Sequence, residues 1–286
     1  MKAKADLHIH STASDGRYSP AEIVNMAAAA GLTIMALTDH DTIDGLVPAL
    51  EAAKAFPALR MIPGVELSTD TTGGEVHVLG YFIDYTNQEF KAGLERMRNS
   101  RAIRTEKMVA KLKELGCDVE LTRVREIAGS GSLGRAHVAQ ALLEKGYTAS
   151  FKEAFSKYIG RDCPAYVARE KLTPAEAVQL IVKVHGLPVL AHPFTTVNPE
   201  TIVRELKKSG LAGMEVYYAG YLPSEINVLL NLAQKYNLIP TGGTDYHGID
   251  ADSDITIGGT NVPIKFVEKL IALAEQKRIE KTLAAE

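Results

Sequence analysis

The sequence predicts an α/β fold: a parallel sheet or closed β/α barrel, interrupted by a helical insertion of about 90 residues. Three observations carry this expectation. Short apolar runs at 32–37, 187–191, 212–217 and 238–241 alternate with amphipathic helix patterns near both ends of the chain. Between about residues 87 and 185 the alternation stops and the pattern is mainly helical. Histidines and acidic residues collect where the apolar runs end.

The first apolar run closes with Asp6-Leu7-His8-Ile9-His10. Side chains alternate on a strand, so Asp6, His8 and His10 share a face, and imidazoles at i and i+2 can hold one metal ion. A polar loop with Asp15 and Gly16 follows. Ser19-Pro20 supplies an N-cap and a proline in the first helical turn, and Gly31 ends that helix. The run 32–37, apolar but for Thr33, is the mark of a strand buried on both faces, and it ends in Thr38-Asp39-His40-Asp41. A helix over 45–55 leads to a strand through Pro63-Gly64-Val65-Glu66-Leu67. Gly73-Gly74 marks a turn, and a strand over 75–83 contains His77.

Helices are expected at 90–115, 135–145, 149–158 and 174–184. The Gly/Ser loop 129–134 among them lacks the Gly-Lys-Ser/Thr ending of a phosphate loop and reads as a hinge. Strand 187–191 then runs into Ala191-His192-Pro193, and Asn198-Pro199 opens a helix. Strand 212–217, helix 223–236 and strand 238–241 follow, the last leading into Gly243-Thr244-Asp245-Tyr246-His247. A final helix covers 263–276. The expected division is a barrel from 1–88 and 187–286, with an inserted cap at 89–186.

Lys plus Arg number 32 against 35 for Asp plus Glu, a net charge of −3 that excludes a basic nucleic-acid-coating surface. A nucleic-acid substrate would have to be gripped locally, and no stable nucleic-acid complex is expected. Cys117 and Cys163 are too few for a disulfide framework and read as reduced thiols. With no bilayer-length apolar run and no signal-peptide pattern, a cytoplasmic protein without membrane association is expected.

Taken singly, the site candidates have plainer readings. Asp39 or Asp41 suits an N-cap for the next helix, His192 a turn before proline, and Glu66 a satisfied edge carboxylate. His185 suits a helix C-terminus, where it favours the dipole. Independent accidents would scatter such residues over both ends of the strands. Their collection at the carboxyl ends, where barrel sites form, favours a metal cluster. Mixed imidazole and carboxylate donors suit Mn, Fe(II) or Zn better than Mg or Ca.

Asp6-Leu-His-Ile-His-Ser11, Thr38-Asp-His-Asp41, Pro63-Gly-Val-Glu-Leu-Ser68, Glu75-Val-His-Val-Leu-Gly-Tyr81, Ala191-His-Pro193 and Gly243-Thr-Asp-Tyr-His247 together resemble the ordered motifs of the PHP (polymerase and histidinol phosphatase) family. The resemblance implies a distorted seven-stranded β/α barrel with a helical insertion and a site for two to three divalent metals. By it, one metal takes His8, His10, Glu66 and Asp245. A second shares Glu66 and adds His77 and His192, and a third takes Asp15, His40 and His247. Asp6 would stand behind the cluster and orient a ligating histidine.

The insertion resembles that of PHP phosphoesterases that remove the 3′-phosphate of nucleoside 3′,5′-bisphosphates, relatives of which trim short 5′-phosphorylated RNA. By the same resemblance Arg135 and His137 would contact substrate phosphate, although in isolation they read as a solvated arginine and a first-turn histidine. The implied reaction is attack on phosphorus by a metal-bridging hydroxide, with Glu66, His192, Asp245 and His247 as catalytic residues and His247 or His192 protonating the leaving oxygen. Histidinol-phosphate phosphatase, a metal-dependent amidohydrolase and a non-catalytic nucleotide-binding accessory domain are the alternatives.

Overall fold

The computed structural model describes residues 4–71, 74–129, 131–168, 172–249 and 255–284. Gly73 of the expected turn and Ser130 of the Gly/Ser loop lie outside them. Seven strands form one sheet in chain order: β1 (Ala5–Asp6), β2 (Ile34–Leu37), β3 (Arg60–Thr71), β4 (Gly74–Tyr81), β5 (Leu187–Leu190), β6 (Gly213–Tyr218) and β7 (Ile239–Gly243). The sheet curls into a near-closed barrel. Leu7 donates its N–H to the Gly242 carbonyl at 3.2 Å, and Ile9 bridges Tyr246 in parallel. Gly243 permits that closure, because a Cβ there would sit 2.4 Å from His8 Cβ and 2.5 Å from His8 N. Gly243→Ala is therefore expected to cost about 1–3 kcal/mol through overpacking against backbone, read as a lower midpoint in urea.

The barrel is mixed rather than parallel. β3 and β4 pair antiparallel from Gly64↔Tyr81 to Thr71↔Gly74, and β4 pairs antiparallel with β5, whereas the remaining pairs are parallel. The cause lies in the connection. A parallel neighbour needs a crossover of a dozen residues or so, and only Thr72 and Gly73 separate these strands. The reversal matters for the site. The beginning of β4 lies at the rim where the parallel strands end, so His77 reaches that rim from within its strand.

Helices α1 (Pro20–Ala29) and α2 (Leu46–Ala53) connect the first strands. Ser19 caps α1 in a capping box with Glu22, as the Ser-Pro signal predicts. The helical segment contains α3 (Gln88–Glu114), α4 (Leu121–Ala128), α5 (Arg135–Glu144), α6 (Phe151–Ala154) with a π-turn at Phe155–Ile159, and α7 (Pro174–Lys183). Of these, α4 has no counterpart in the sequence expectations. Its eight residues are too few for helical periodicity to register. The barrel finishes with α8 (Pro199–Ser209), α9 (Pro223–Lys235) and α10 (Ile264–Ala284).

Three apolar clusters hold this together. Leu7, Ile62, Leu79, Tyr81, Val189 and Leu270 belong to one that joins the strands to α10. A second joins the strands to the surrounding helices and includes Phe90 and Leu94 of α3 and Ile181 of α7. The third belongs to the helical segment, with Met108 and Leu112 of α3 packed with Val124, Val138, Leu142 and Ile159. Helix α3 thus contributes to both of these last two clusters, with Phe90 and Leu94 in one and Met108 and Leu112 in the other. No helix among the described residues is long and apolar enough to cross a membrane.

Candidate metal centre

The site is built around Glu66, a carboxylate with no exposed surface in the middle of β3. Five imidazoles surround it. His8 Nε2, His10 Nε2 and His40 Nδ1 each lie 3.1 Å from Oε2, while His77 Nδ1 and His192 Nε2 lie 2.9 and 3.1 Å from Oε1. Asp245 faces the same imidazoles, its Oδ1 3.2 Å from His8 Nε2 and 3.0 Å from His10 Nε2. His247 stacks on His10 with ring centroids 4.1 Å apart, and its Nε2 lies 3.4 Å from Asp15 Oδ1. All nine residues singled out in the sequence as metal ligands therefore meet at one rim.

Local structure explains why they aim correctly. Asp39 fixes the loop carrying Asp15, accepting hydrogen bonds from Ser11 N–H (2.8 Å), Ser11 Oγ (2.7 Å) and Ser14 Oγ (2.7 Å). Asp41 accepts from Ser68 N–H (2.8 Å) and Arg101 Nε (2.7 Å), and Arg101 Nη2 donates to Ser68 Oγ at 2.6 Å. Neither aspartate caps α2, whose N-cap is Gly45 without a side-chain bond. Asp41, His192 and Asp245 hold φ of 52°, 25° and 54°. Such left-handed backbone is strained for non-glycine residues and persists where surrounding bonds over-determine it.

Charge is concentrated here in an unusual way. Burial opposes ionisation of Glu66, yet His40, His8 and His77 hold its carboxyl well below the usual range. Asp245 is depressed likewise, against burial, by His8, His10 and His247. Burial takes His40 down to about 3, whereas Asp15 and Asp245 outweigh burial at His247 and lift it to about 10. His8 also rises well above its ordinary value, burial being overcome by Asp245, Glu66 and Glu215. The site thus sets ionised carboxylates against the imidazoles that keep them ionised.

Whether divalent cations fit can be judged from atoms left without partners. Both ring nitrogens of His10, together with Asp15 Oδ1 and Asp245 Oδ1, are buried and make no hydrogen bond. Stranding such groups is costly unless something coordinates them. Three sets of donor atoms, each set lying within 4.8 Å, are grouped to do so: His8, His10, Glu66 and Asp245; His10, Asp15, His40 and His247; and His40, Glu66 and His77. Imidazole and carboxylate in these numbers suit two to three divalent cations. The grouping differs from the expected one in three respects. His10 and His40 each fall in two sets, and His192 approaches Glu66 without joining a set.

A cleft of about 460 Å³ opens on the cluster, lined by His77, His192, Asp245, Tyr218, Arg135, Arg161, Phe155 and Tyr166 among others. A contiguous recess of about 290 Å³ adds Asp15, His40, His247, Arg101 and Arg104. Arg135 hydrogen-bonds Glu75 and lies 5.3 Å over the Phe155 ring. His137 takes a different place. It lines neither recess, and its Nδ1 accepts the Gly134 N–H at 3.0 Å, capping α5 as a neutral imidazole that burial keeps from charging.

Asp6 also departs from expectation. It accepts from Thr244 N–H (3.0 Å), Thr244 Oγ1 (2.6 Å), Gly258 N–H (2.8 Å) and the His8 N–H (3.3 Å), so it ties β1 to the segment after β7 and touches no imidazole. The carboxylate behind a site histidine is Glu215, which the sequence reading passed over. Its signal was available, as a lone charge inside the apolar strand Gly213-Met-Glu-Val-Tyr217. Arg101 had none, being one of several basic residues along α3. His185 stands away from the cluster, just past the C-cap of α7.

Strand-end imidazoles and carboxylates at one mouth of a seven-stranded barrel define a metal-dependent hydrolase. The PHP domain model matches residues 6–160, and the chain belongs to that family. It is a metal-dependent phosphoesterase acting on phosphate esters. Among similar proteins, a 5′-3′ exoribonuclease of Haemophilus influenzae is 34% identical over 251 residues, covering 86% of this chain and 91% of that protein. A 3′,5′-nucleoside bisphosphate phosphatase of Chromobacterium violaceum is 31% identical over 250 residues, covering 86% and 87%. A solved structure of an amidohydrolase from Chromobacterium violaceum, with bound sulfate and no metal, superposes with a TM-score of 0.87 at 29% identity, over 94% of this chain and 96% of that one.

Proposed function

We propose that this phosphoesterase removes the 3′-phosphate from nucleoside 3′,5′-bisphosphates. The observation that carries the reading is the composition of the cleft: carboxylates and imidazoles for cations at its floor, guanidinium groups of Arg135 and Arg161 on its walls, and the rings of Phe155, Tyr166 and Tyr218 between them. A nucleoside bisphosphate brings two phosphates and one base. One phosphate needs the cations, the other a planar guanidinium fork, and the base an aromatic face. Histidinol phosphate, with one phosphate and a cationic amine, makes poorer use of those arginines. An amidohydrolase reading lacks the lysine that such sites carboxylate, since none lines either recess. The exoribonuclease relatives favour a second reading, in which short 5′-phosphorylated oligoribonucleotides are trimmed in the same cleft.

In this reading the nine cluster residues hold Mn, Fe(II) or Zn. Such cations acidify bound water toward neutrality and neutralise charge on phosphate oxygens. Segment 89–186 acts as the cap that places Arg135 over the site. Both nitrogens of His192 are engaged, with Glu66 and with Thr195 Oγ1 at 3.0 Å, and Nδ1 of His247 is held by the Asp245 carbonyl at 2.8 Å while its Nε2 faces Asp15 Oδ1 at 3.4 Å. We therefore assign these rings to holding cations rather than to protonating the leaving oxygen.

The deciding experiment compares phosphate release from adenosine 3′,5′-bisphosphate, histidinol phosphate and a 5′-phosphorylated tetraribonucleotide by the metal-loaded protein. Absence of release from the bisphosphate would remove that substrate. Arg135→Ala is expected to raise KM for the bisphosphate by about 10- to 100-fold, the worth of a charge-assisted hydrogen bond. Turnover of p-nitrophenyl phosphate, which carries no second phosphate, should be largely retained.

A further inference from the structure

Glu215 has no exposed surface and lies in β6, where Thr241 of β7 is its neighbour. Its bonded partners are two: the His8 imidazole, with Nδ1 3.2 and 3.3 Å from the two carboxylate oxygens, and the His192 backbone N–H, which donates at 2.8 Å. The register between β6 and β7 shifts immediately after it, between Glu215 and Tyr217. A bulge at that point re-aims the strand's side chains, a device common beside active sites. Past the bulge Tyr218 lines the cleft and donates its hydroxyl to Asp245 Oδ2 at 2.9 Å.

A buried carboxylate that merely filled space would be an expensive choice in an apolar strand. This one grips two candidate ligands from opposite sides of the barrel seam. Once the ring gives up its second proton in favour of a cation, accepting from His8 Nδ1–H leaves the lone pair on Nε2, the atom that lies 3.1 Å from Glu66 and 3.2 Å from Asp245. Accepting from the His192 N–H holds a residue whose φ of 25° is strained for a non-glycine.

We propose that Glu215 is a positioning residue for the metal centre: it fixes His8 in the Nδ1–H form with Nε2 turned to the cation, and clamps the His192 backbone in the same grip. The carboxylate–imidazole pairing raises ligand basicity and sets ring orientation before a cation arrives. The inference rests on the ligand assignment above and not on the choice of substrate.

The test titrates the full chain, stripped by chelator, with Zn(II) against a competing chromophoric chelator. Glu215→Gln is expected to weaken the tightest site by about 10- to 100-fold, the usual effect of removing a supporting partner of a ligand. In the zinc-loaded wild-type protein, nitrogen-15 NMR should show His8 protonated at Nδ1 and coordinated through Nε2. A Glu215→Gln protein with unchanged affinity, even one of lower Tm, would reduce the residue to packing and overturn the proposal. Should that variant not fold, the wild-type spectrum still decides, and coordination through His8 Nδ1 refutes it. Glu66→Gln is the control: if it too leaves zinc affinity untouched, the ligand assignment fails, and if it alone loses zinc, only the role of Glu215 fails.

Discussion

Glu66→Gln should lower phosphate release by more than about 100-fold, beyond what loss of a residue that only supports ligands produces. Two effects combine. The carboxylate reaches all five surrounding imidazoles through its two oxygens, so an amide in its place removes half of those acceptor positions and the negative charge together. The imidazoles of His8, His10, His40 and His77 would then converge on a neutral group, with less reason to gather a cation. Bound metal, measured by elemental analysis after gel filtration, should fall along with activity, and exhaustive chelation of the wild-type protein should give the same loss. Full metal content in an inactive Glu66→Gln protein would mean that the residue acts on substrate rather than on cations.

Asp41→Ala should destabilise the fold by about 3–5 kcal/mol, the cost of leaving a buried guanidinium without its partner. The Arg101 side chain is only 7% exposed and that of Asp41 not at all. The pair is also part of a chain of contacts into the site, because Arg101 holds Ser68 Oγ, which lies 3.5 Å from His40 Nδ1. Urea denaturation of the wild-type and variant proteins measures the difference. A shift within about 1 kcal/mol, the range of exposed ion pairs, would show that water enters and solvates Arg101. Since α3 carries Arg101 from the barrel toward the helical segment, the variant should also loosen the seating of that segment over the cleft.

Much of the site was legible because its chemistry is written in residue types. His8, His10, His40, Glu66, His77, His192, Asp245 and His247 each stand in an apolar run or within a few residues of its end, and strand alternation or strand ends assign them a direction from local pattern alone. Helix starts were equally plain where proline follows a capping side chain, as at Ser19-Pro20, Thr173-Pro174 and Asn198-Pro199. These are local signals, each completed within a few residues.

Three-dimensional packing decided the rest, since the partners involved lie far apart in the chain. Chain direction in β4 depends on a two-residue connection that periodicity cannot weigh, and with it the reach of His77 to the rim. Arg101 meets Asp41 across 60 positions, and Glu215 meets His8 across 207. His137 and Asp6 bear the residue types of a functional site, yet their surroundings use them to cap a helix and to tie the barrel seam. The sequence determined which groups were available to hold cations, because ligand chemistry resides in the side chain itself. Only the tertiary structure decided which carboxylates face the cations and which stand behind the imidazoles, because that depends on what each buried oxygen finds within about 3 Å.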